Sequence, residues 1–349
     1  MPKVLFIFAG SRKRLEQGRP SIDYPDTQFY GYNHLLSYGQ VEYKTPDDSL
    51  PIAWLRRWLS FPLKHLLLTR FFHSYDVIIG SSLLYNVALK KFLAPKSKLV
   101  LLNISLNNTL ARNKNNSRRY RRLLSLASQL DAIICLSQAQ LEDLHLIYGL
   151  DPTKLHFIPM GVDPVFWQPV DRLVDGPIIA VGTDNGRDFS TVFEAARLMP
   201  EERFVVVCGR RNVANLDIPD NVLIHYGLGY PELKRAYKSA RLALIITHDD
   251  THTDGADCSG QTSLLDALAQ ALPVIISKKR YLSDYVQDGR EVIEVDCYQP
   301  AQIVEAIHLL SDFSLGESMR QAGRQAVEER FTSSQLAEHL QTLLTNLAK

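Results

Sequence analysis

The sequence predicts an α/β protein with two parallel-sheet domains that face a central cleft. The chain has 349 residues, more than a single hydrophobic core usually organises. Short apolar runs alternate with helical patterns along its whole length, which is typical of βαβ units around parallel sheets. This alternation is interrupted once, by a predicted linker from Pro164 to Gly176 that contains Pro164, Pro169 and Gly176, and then restarts. Ligands of such sheets bind at the carboxyl ends of the strands.

The first half carries five predicted strands, which are Val4–Phe8, Val77–Gly80, Leu99–Leu102, Ala132–Leu136 and Lys154–Ile158. Ser137 directly follows the fourth of these strands and is a predicted N-cap, so a helix is expected to begin there. A polar loop from Gly10 to Gly31 follows the first strand. We assign residues 1–165 to this domain.

The second half repeats the pattern and is assigned to residues 176–330. Its predicted strands are Ile178–Val181, Arg203–Val207, Val222–His225, Ala243–Thr247, the run Val274–Ser277 and Val292–Val295. Its predicted helices are Ser190–Leu198, Tyr230–Ser239, one beginning near Gly260, and two terminal helices at about Pro300–Ser311 and Ser333–Leu347. The terminal helix, within residues 331–349, is expected to pack back on the N-terminal domain.

Composition predicts a soluble, cytoplasmic protein. The 46% hydrophobic and 22% charged fractions are those of ordinary globular chains, and no run reaches the roughly 18 apolar residues of a membrane span. The opening residues predict a strand rather than a signal peptide. The four cysteines are far apart, which favours reduced thiols over disulfides or zinc ligands.

Charge is distributed unevenly along the chain. From Ser49 to Leu130 there are fourteen Lys or Arg and one acid, Asp76, whereas from Asp131 to Lys349 there are nineteen basic and thirty-one acidic residues. The N-terminal half is therefore expected to approach an anionic surface or substrate. No nucleic-acid partner is predicted.

The segment from Cys258 onward predicts a phosphate site. A polar, glycine-containing turn opens an amphipathic helix, so free N–H groups and the positive end of the helix dipole lie at Gly260 to Ser263. Asp266 lies about 5 Å further along the axis, within reach of a sugar hydroxyl beside that phosphate. This geometry indicates a nucleotide diphosphate pocket; the alternative is a strand-to-helix turn that binds nothing.

Four ordered pieces of the chain resemble the family 4 glycosyltransferases, which have the GT-B fold of two Rossmann-like domains. They are Ile133–Ser137 with Ile158–Asp163 and Phe166; Asn221–Gly227 with Glu232, Leu233 and Tyr237; Gly260–Ser277; and Asp288–Gly289. The resemblance covers roughly residues 130 to 330 and implies transfer of a sugar from a nucleotide diphosphate sugar to a hydroxyl acceptor, with retained stereochemistry. A lipid or lipid-linked glycan is one candidate acceptor.

The same resemblance implies that the enzyme needs no metal or other cofactor beyond its nucleotide-sugar substrate. Two other functions stay open on this scaffold: a catalytically silent GT-B-like binding protein, and a nucleotide-sugar epimerase. An epimerase relies on acids and a His in the cleft, which this sequence does not place.

The chain departs from the family pattern at two positions. The family has two acids eight residues apart; Asp266 fills the second position, which holds the ribose, but Cys258 stands at the first. Asp257 or Asp254 would then approach the donor sugar, and Asp257 with Cys258 are the candidate catalytic residues. A family His is also missing after the third strand, where Asn103 or Ser105 would offer a hydrogen bond but no base.

The resemblance also assigns donor contacts in the second domain. Arg187, in the loop that starts at Thr183, is the candidate clamp on the diphosphate, unless Arg187–Asp188 is a surface turn. Gly209 and Arg210 follow a strand and would bind phosphate or frame the base, or else form a solvated basic turn. The diphosphate is expected on the turn formed by Gly260, Gln261 and Thr262.

The acidic run His248–Asp257 has the composition of a metal site, but a loop that contacts the donor sugar is the favoured interpretation.

In the first domain, Trp54–Phe72 mixes aromatic residues, Leu, Arg and Lys without an acid, which suits a helix pair in an anionic membrane interface. Arg112–Arg122 holds a second basic cluster. The candidate acceptor and membrane residues are Arg56, Arg57, Trp58, Arg118 and Arg119. The alternative is ordinary packing of the aromatic residues under the sheet. The Gly10–Gly31 loop is a candidate wall of the acceptor pocket.

Overall fold

The computed structural model describes residues 2–12, 18–51, 58–169 and 175–349. The chain divides into two compact units. The first comprises Met1–Arg19, Phe29–Pro159 and Ser334–Lys349, and the second comprises Pro20–Gln28 and Met160–Ser333. Each unit contains its own six-stranded parallel sheet and its own apolar core, so the predicted α/β class with two Rossmann-like sheets is confirmed.

The first sheet has the strand order β2-β1-β3-β4-β5-β6. Its strands are β1 (Val4–Ile7), β2 (Val41–Lys44), β3 (Val77–Gly80), β4 (Lys98–Asn103), β5 (Ala132–Cys135) and β6 (Leu155–Phe157). Every residue of β1, β3 and β5 is buried, as expected for parallel strands covered on both faces. The sequence did not predict β2, because its VEYK run is short and half charged.

Helices cover this sheet. They are α1 (Tyr32–Leu35), α2 (Phe61–Leu68), α3 (Val87–Leu93), α4 (Leu106–Asn113), α5 (Ser117–Ala127) and α6 (Gln138–Glu142). Pro62 lies in the first turn of α2, where its missing N–H costs nothing. Ser137 caps α6 as predicted, because its hydroxyl accepts a hydrogen bond from the N–H of Gln140 at 3.1 Å.

The second sheet has the order β12-β11-β10-β7-β8-β9. Its strands are β7 (Ile178–Gly182), β8 (Phe204–Cys208), β9 (Val222–Tyr226), β10 (Leu242–Ile245), β11 (Val274–Ser277) and β12 (Ile293–Val295). The first strand in the chain, β7, therefore lies at the centre and pairs with both β8 and β10. The direction of winding reverses between β7 and β10, where parallel sheets of this kind bind ligands.

The later helices are α7 (Phe189–Leu198), α8 (Tyr230–Ser239), α9 (Gln261–Ala269), α10 (Pro300–Leu309), α11 (Phe313–Arg330) and α12 (Ser333–Leu347). Both predicted terminal helices are present, as α10 and α12, and a third helix that the sequence did not predict, α11, lies between them. Gly316 and Gly323 lower the helix propensity of α11, but a Cβ at Gly323 would lie only 2.6 Å from Leu268 Cδ2. The glycine is thus needed for close packing of α11 against α9.

The segment predicted as a linker begins inside the second unit. Phe166 and Trp167 are almost fully buried there, and residues 170–174 lie outside the described part of the chain. The buried carboxylate of Asp163 accepts hydrogen bonds from the N–H groups of Val165 and Phe166, both at 3.0 Å. It also accepts one from the N–H of Asp26 at 2.9 Å, which joins Pro20–Gln28 to this unit.

From Ser334 onward, α12 is counted with the first unit. A close contact within that unit involves the backbone of Gly31, which has a φ of 78°. A Cβ at this position would lie 3.2 Å from Ala337 Cα on α12. Gly31 therefore combines a left-handed conformation with a close approach between two segments.

Candidate functional site

The candidate donor site lies at the carboxyl edge of the second sheet, where β7 and β10 are neighbours. The loop after β7 and the loop after β10 meet in an antiparallel bridge between Arg187 and Thr247. The N–H of Asp188 donates to the carbonyl of Ile246 at 3.0 Å, and the N–H of His248 donates to the carbonyl of Gly186 at 3.0 Å. Two loops that are distant in sequence thus form one surface beside the start of α9.

Helix α9 begins with an uncapped N-terminus. Gly260 is the N-cap, with a φ of 96° and no side chain to satisfy the first N–H groups. The N–H groups of Thr262 and Ser263 donate to no acceptor among the described residues. A Cβ at Gly260 would lie 2.9 Å from Ile245 Cγ2, so only glycine lets the turn approach β10 this closely. The turn therefore presents two free donors and the positive end of a helix dipole, which suits an anion.

Arg187 is buried beneath this turn, so the alternative of an Arg187–Asp188 surface turn is wrong. Its Nη2 donates to the carbonyl of Val181 at 2.5 Å and to Ser263 Oγ at 2.6 Å. The guanidinium lies against Gly182, where any Cβ would overlap it. No carboxylate of the described residues forms an ion pair with it, and burial lowers its pKa from the usual value.

The remaining N–H groups of Arg187 make no hydrogen bond to a described residue, which leaves one edge of the guanidinium available to an anion. Asp188 has a separate role as the N-cap of α7: its carboxylate accepts hydrogen bonds from the N–H and the hydroxyl of Thr191 at 3.1 and 2.5 Å.

Asp266 lies one turn into α9 and is the most unusual carboxylate of the site. It is buried, and its Oδ1 has no hydrogen-bond partner among the described residues. Burial raises its pKa well above the ordinary value, and the nearby Asp163 raises it further. The indole of Trp167 faces this carboxylate and lowers its pKa, although its Nε1 does not reach hydrogen-bond geometry.

Two buried hydroxyls near the α9 turn are also unsatisfied, those of Thr247 and Ser259. Since buried polar groups are normally paired, each unpaired group in a folded protein calls for an explanation. Together with Asp266 Oδ1, they make a set of polar atoms that lack partners around the start of one helix. A polar ligand would satisfy them.

The acidic run after β10 is held by the loop after β7. Asp184 Oδ1 accepts from the N–H of Gly186 at 2.9 Å and Oδ2 accepts from that of Ala256 at 3.0 Å. Asn185 Nδ2 donates to Asp254 Oδ2 at 3.0 Å. These hydrogen bonds hold the part of the loop that leads to Asp257 and to Cys258, whose side chain is buried. Asp184 was not singled out in the sequence, although its position directly after a strand is a usable signal.

No group of three or more His, Cys, Asp or Glu in the described ranges has the arrangement of a metal site. The rings of His248 and His252 are 4.3 Å apart, and burial lowers the pKa of His248. Lys279, which the sequence did not single out, pairs with Asp250 at 2.8 Å and donates to the carbonyl of His248 at 3.0 Å. It follows β11 directly and ties that loop to the acidic run.

Of the outer donor candidates, Thr183 and Arg210 are solvent-exposed and Gly209 is partly buried. Thr183 is exposed, and its carbonyl accepts a hydrogen bond from Arg211 Nη2 at 3.2 Å. The guanidinium of Arg210 lies 4.6 Å from the ring centroid of Tyr226. The N–H of Gly209 donates to Asn212 Oδ1 at 3.1 Å. All three lie at the same sheet edge as the α9 turn: Thr183 directly follows β7, whereas Gly209 and Arg210 follow β8, one strand further out.

The candidate acceptor and membrane residues of the first unit differ in their surroundings. Arg56 and Arg57 lie outside the described residues, whereas the side chain of Trp58 is 85% exposed. Arg118 and Arg119 are exposed on α5, and only Arg119 lines a cavity in this unit. Both amide atoms of Asn103 are used inside the unit, by Asn107 at 2.9 Å and the N–H of Leu106 at 2.8 Å. None of the described helices is long and apolar enough to span a membrane.

Comparisons with known proteins bear on the family and the fold of this chain. The model of Glycosyltransferase Family 4 matches residues 24–166, and a glycosyl transferase-like model matches residues 187–342. D-inositol 3-phosphate glycosyltransferase of Xylanimonas cellulosilytica is 26% identical over 234 residues, which are 58% of this chain and 53% of that protein. MMP alpha-(1->4)-mannosyltransferase of Mycolicibacterium hassiacum is 24% identical over 53% of this chain and 46% of that protein. The chain thus matches about half the length of these curated relatives.

Solved structures with the same fold cover nearly the whole chain. Sucrose-phosphate synthase from Thermosynechococcus elongatus has a TM-score of 0.74 at 16% identity and covers 99% of both chains. Anabaena HepE in complex with UDP and glucose has a TM-score of 0.70 at 13% identity, covering 99% of this chain and 100% of that one. The chain has the GT-B fold, and the two matched family models with the related glycosyltransferases support a glycosyltransferase of the family 4 type.

Proposed function

We propose that this protein transfers a hexosyl residue from a nucleoside diphosphate sugar to a hydroxyl acceptor. The observation that carries the proposal is the α9 turn. Two free N–H groups, at Thr262 and Ser263, lie one turn from the unpaired carboxylate oxygen of Asp266. A phosphate on the former and a ribose hydroxyl on the latter would satisfy both. The complex of Anabaena HepE with UDP and glucose supports the same donor class.

In this proposal Arg187 and the α9 dipole stabilise the departing diphosphate. The bond between the anomeric carbon and the phosphate oxygen breaks while the acceptor oxygen bonds to that carbon, and the acceptor proton passes to the leaving phosphate. Negative charge develops on the diphosphate, so fixed donors and a buried guanidinium lower the barrier. Retention of stereochemistry, implied by the family resemblance, is compatible with this scheme because no enzymic base is required.

Asp257 and Cys258 are placed beside the transferred sugar in this proposal. Their positions follow from the chain path, since both immediately precede the turn that takes the diphosphate. Thr183, Gly209 and Arg210 would frame the nucleoside. No metal or other cofactor is included, because Arg187 and the helix N-terminus supply the positive charge that a cation would otherwise bring.

We assign the donor to the second unit and the acceptor to the first. The excess of basic residues between Ser49 and Leu130 supports an anionic acceptor, or an anionic membrane surface facing the cytosol. The exposed ring of Trp58 is compatible with contact to an acceptor or to a membrane surface. The related D-inositol 3-phosphate glycosyltransferase is named for a phosphorylated acceptor, which agrees with an anionic acceptor here.

Thermal unfolding in the presence of UDP, GDP and ADP tests the donor site. At least one nucleotide at 1 mM should raise the Tm, because a ligand that binds only the folded state stabilises it. Arg187→Met should reduce that rise, whereas Arg235→Met, which removes an exposed arginine of the same unit, should not. The proposal fails if none of the three nucleotides shifts the Tm at concentrations well above 1 mM.

Turnover separates transfer from silent binding and from epimerisation. Incubation with the nucleotide sugar that corresponds to the stabilising nucleotide should release free nucleoside diphosphate, slowly by hydrolysis and faster with an acceptor. A binding protein would leave the donor intact, and an epimerase would change the sugar without releasing the nucleotide.

A further inference from the structure

A large cavity in the first unit is not explained by the donor site. Its volume is about 810 Å³, within the usual range of ligand pockets. It opens at the carboxyl ends of β3 and β4 and is enclosed by α2, α3 and α5. Its apolar wall includes Leu63, Leu66, Leu89, Leu101, Leu123 and Leu126. The wall is therefore continuous and aliphatic.

One side of the cavity is cationic. Arg119 and Arg122 line it from α5, where a spacing of three residues places them on one face of the helix. No Asp or Glu is among the described lining residues, and neither guanidinium forms an ion pair in the described part of the chain. Two unpaired guanidinium groups on one face match the oxygens of a phosphate.

Hydroxyl groups complete the polar side. Ser81 and Ser82 follow β3, and Ser105 precedes α4. None of these three hydroxyls makes a hydrogen bond to a described residue, so they are available to a polar head group beside the arginines.

Three apolar residues of the cavity are only partly covered. Phe61, Leu63 and Tyr85 are 44%, 48% and 44% exposed. Behind them lies His65, which is fully buried, with its ring 4.4 Å from that of Phe61. Neither ring nitrogen of His65 has a partner, and burial lowers its pKa to about 4, so it adds no charge to this wall at neutral pH. The cavity thus combines an apolar channel with positive charge from Arg119 and Arg122.

We propose that this cavity binds a single lipid phosphate, with its hydrocarbon chain along the leucine wall and its phosphate between Arg119 and Arg122. The proposal rests on the proposed function, because it names the acceptor class: an alcohol hydroxyl on a head group esterified to this lipid phosphate receives the sugar. It commits to one molecule held inside the protein rather than to the surface of a bilayer. Charge complementarity and the size of the apolar wall together select this occupant.

Calorimetric titration of the full chain with decyl phosphate, below its critical micelle concentration, tests the cavity. We expect one molecule bound per chain, with affinity that rises up to about fourfold per added CH₂ from octyl to decyl phosphate. Decyl maltoside, which lacks the charge, should bind at least about tenfold more weakly, and inorganic phosphate should not bind measurably. Absence of decyl phosphate binding at millimolar concentration would overturn the proposal.

A matched pair of variants at α5 separates the cavity from general surface charge. Arg119→Gln/Arg122→Gln should weaken decyl phosphate binding at least about tenfold. Lys114→Gln/Arg121→Gln, just before and on the same helix, removes the same charge from exposed residues that do not line the cavity, and should change the affinity less than about twofold. Equal losses in the two double variants would overturn the proposal, as would binding to anionic vesicles without any binding of monomeric decyl phosphate.

Ala88→Trp provides a second variant, since Ala88 lines the cavity and the larger side chain would fill it. With an unchanged circular dichroism spectrum, it should abolish decyl phosphate binding; retained binding would contradict the site.

The donor-site proposal and the lipid-phosphate proposal can be refuted separately. Nucleotide binding without decyl phosphate binding refutes the lipid site alone, whereas decyl phosphate binding without nucleotide binding refutes the donor site and, with it, the acceptor role.

Discussion

Replacing Asp266 with asparagine should make the protein more stable and a weaker binder of nucleotide. The carboxylate is 9% exposed, its Oδ1 is unpaired, and burial raises its pKa well above 3.8. An unsatisfied buried polar group costs about 1–3 kcal/mol, and more when charged. Asparagine keeps the shape and removes the charge. We therefore expect about 1 kcal/mol of stabilisation at pH 8, or roughly 2–4 °C in Tm for a unit of this size.

The pH dependence fixes the sign of this effect. Because the pKa of Asp266 is raised by folding, the folded state holds the proton more tightly than the unfolded state. The wild type is then penalised progressively as the pH rises above the ordinary Asp pKa, while the asparagine variant is not. The stabilising effect of Asp266→Asn should be largest at pH 8 and should shrink toward pH 4.

Nucleotide affinity should change in the opposite direction. A hydrogen bond between a ribose hydroxyl and the buried carboxyl group of Asp266 contributes about 0.5–3 kcal/mol, with the upper end for the ionised form, so its loss weakens binding by roughly 2- to 150-fold. Differential scanning calorimetry gives the stability, and titration with the stabilising nucleotide gives the affinity. Glu201→Gln removes one exposed acid of the same unit and should change neither quantity appreciably. If Asp266→Asn lowers the Tm and leaves the affinity unchanged, Asp266 is a structural residue and the ribose assignment is wrong.

Three further outcomes follow from the structure. Gly260→Ala should destabilise the protein by about 1–3 kcal/mol in urea unfolding and weaken nucleotide binding. The φ of 96° at this position is unfavourable for alanine, and the added Cβ would lie 2.9 Å from Ile245 Cγ2. Gly289→Ala, at a φ of 75° with no atom within 4 Å of the Cβ, should cost only about 1 kcal/mol; equal losses would refute the close approach. Burial lowers the pKa of the His65 imidazole from 6.5 to about 4, so the charged form is disfavoured in the folded state. The wild type should therefore lose about 1–2 kcal/mol of unfolding free energy between pH 8 and pH 5, and His65→Leu should not show this loss. The exposed His73→Leu should leave that pH dependence in place, and a His65→Leu variant that still shows it would contradict the assignment. Finally, 5 mM EDTA should leave nucleotide binding and donor hydrolysis unchanged; a loss restored by Mg²⁺ or Mn²⁺ would show that a cation is required.

The local sequence determined most of the second sheet. Predicted and observed strands agree closely, for example Ile178–Val181 against Ile178–Gly182, because a strand buried on both faces needs an uninterrupted apolar run. Helix α9 was located for a similar reason, since a glycine turn followed by an amphipathic pattern is a signal confined to a few residues. Such features require no knowledge of distant residues.

Other features depended on packing between distant segments. Helix α11 was missed because its glycines oppose helix formation locally, and only contact with Leu268 explains Gly323. The aromatic residues Phe166 and Trp167 stood in a proline-bounded stretch that predicted a linker, yet they are core residues of the second unit. In both cases tertiary packing outweighs local propensity.

The sequence alone determined the fold class, the turn at Gly260 and the presence of Asp266 one turn beyond it. Only the tertiary structure decided that Arg187 is buried, since its environment comes from Gly182 and from Ser263, which lies 76 residues away. It also decided that Asp266 lacks a partner and that Arg119, but not Arg118, lines a cavity. Spacing along the chain encodes which face of a helix a residue occupies, whereas burial, pKa and pairing depend on the neighbours that folding brings to that face.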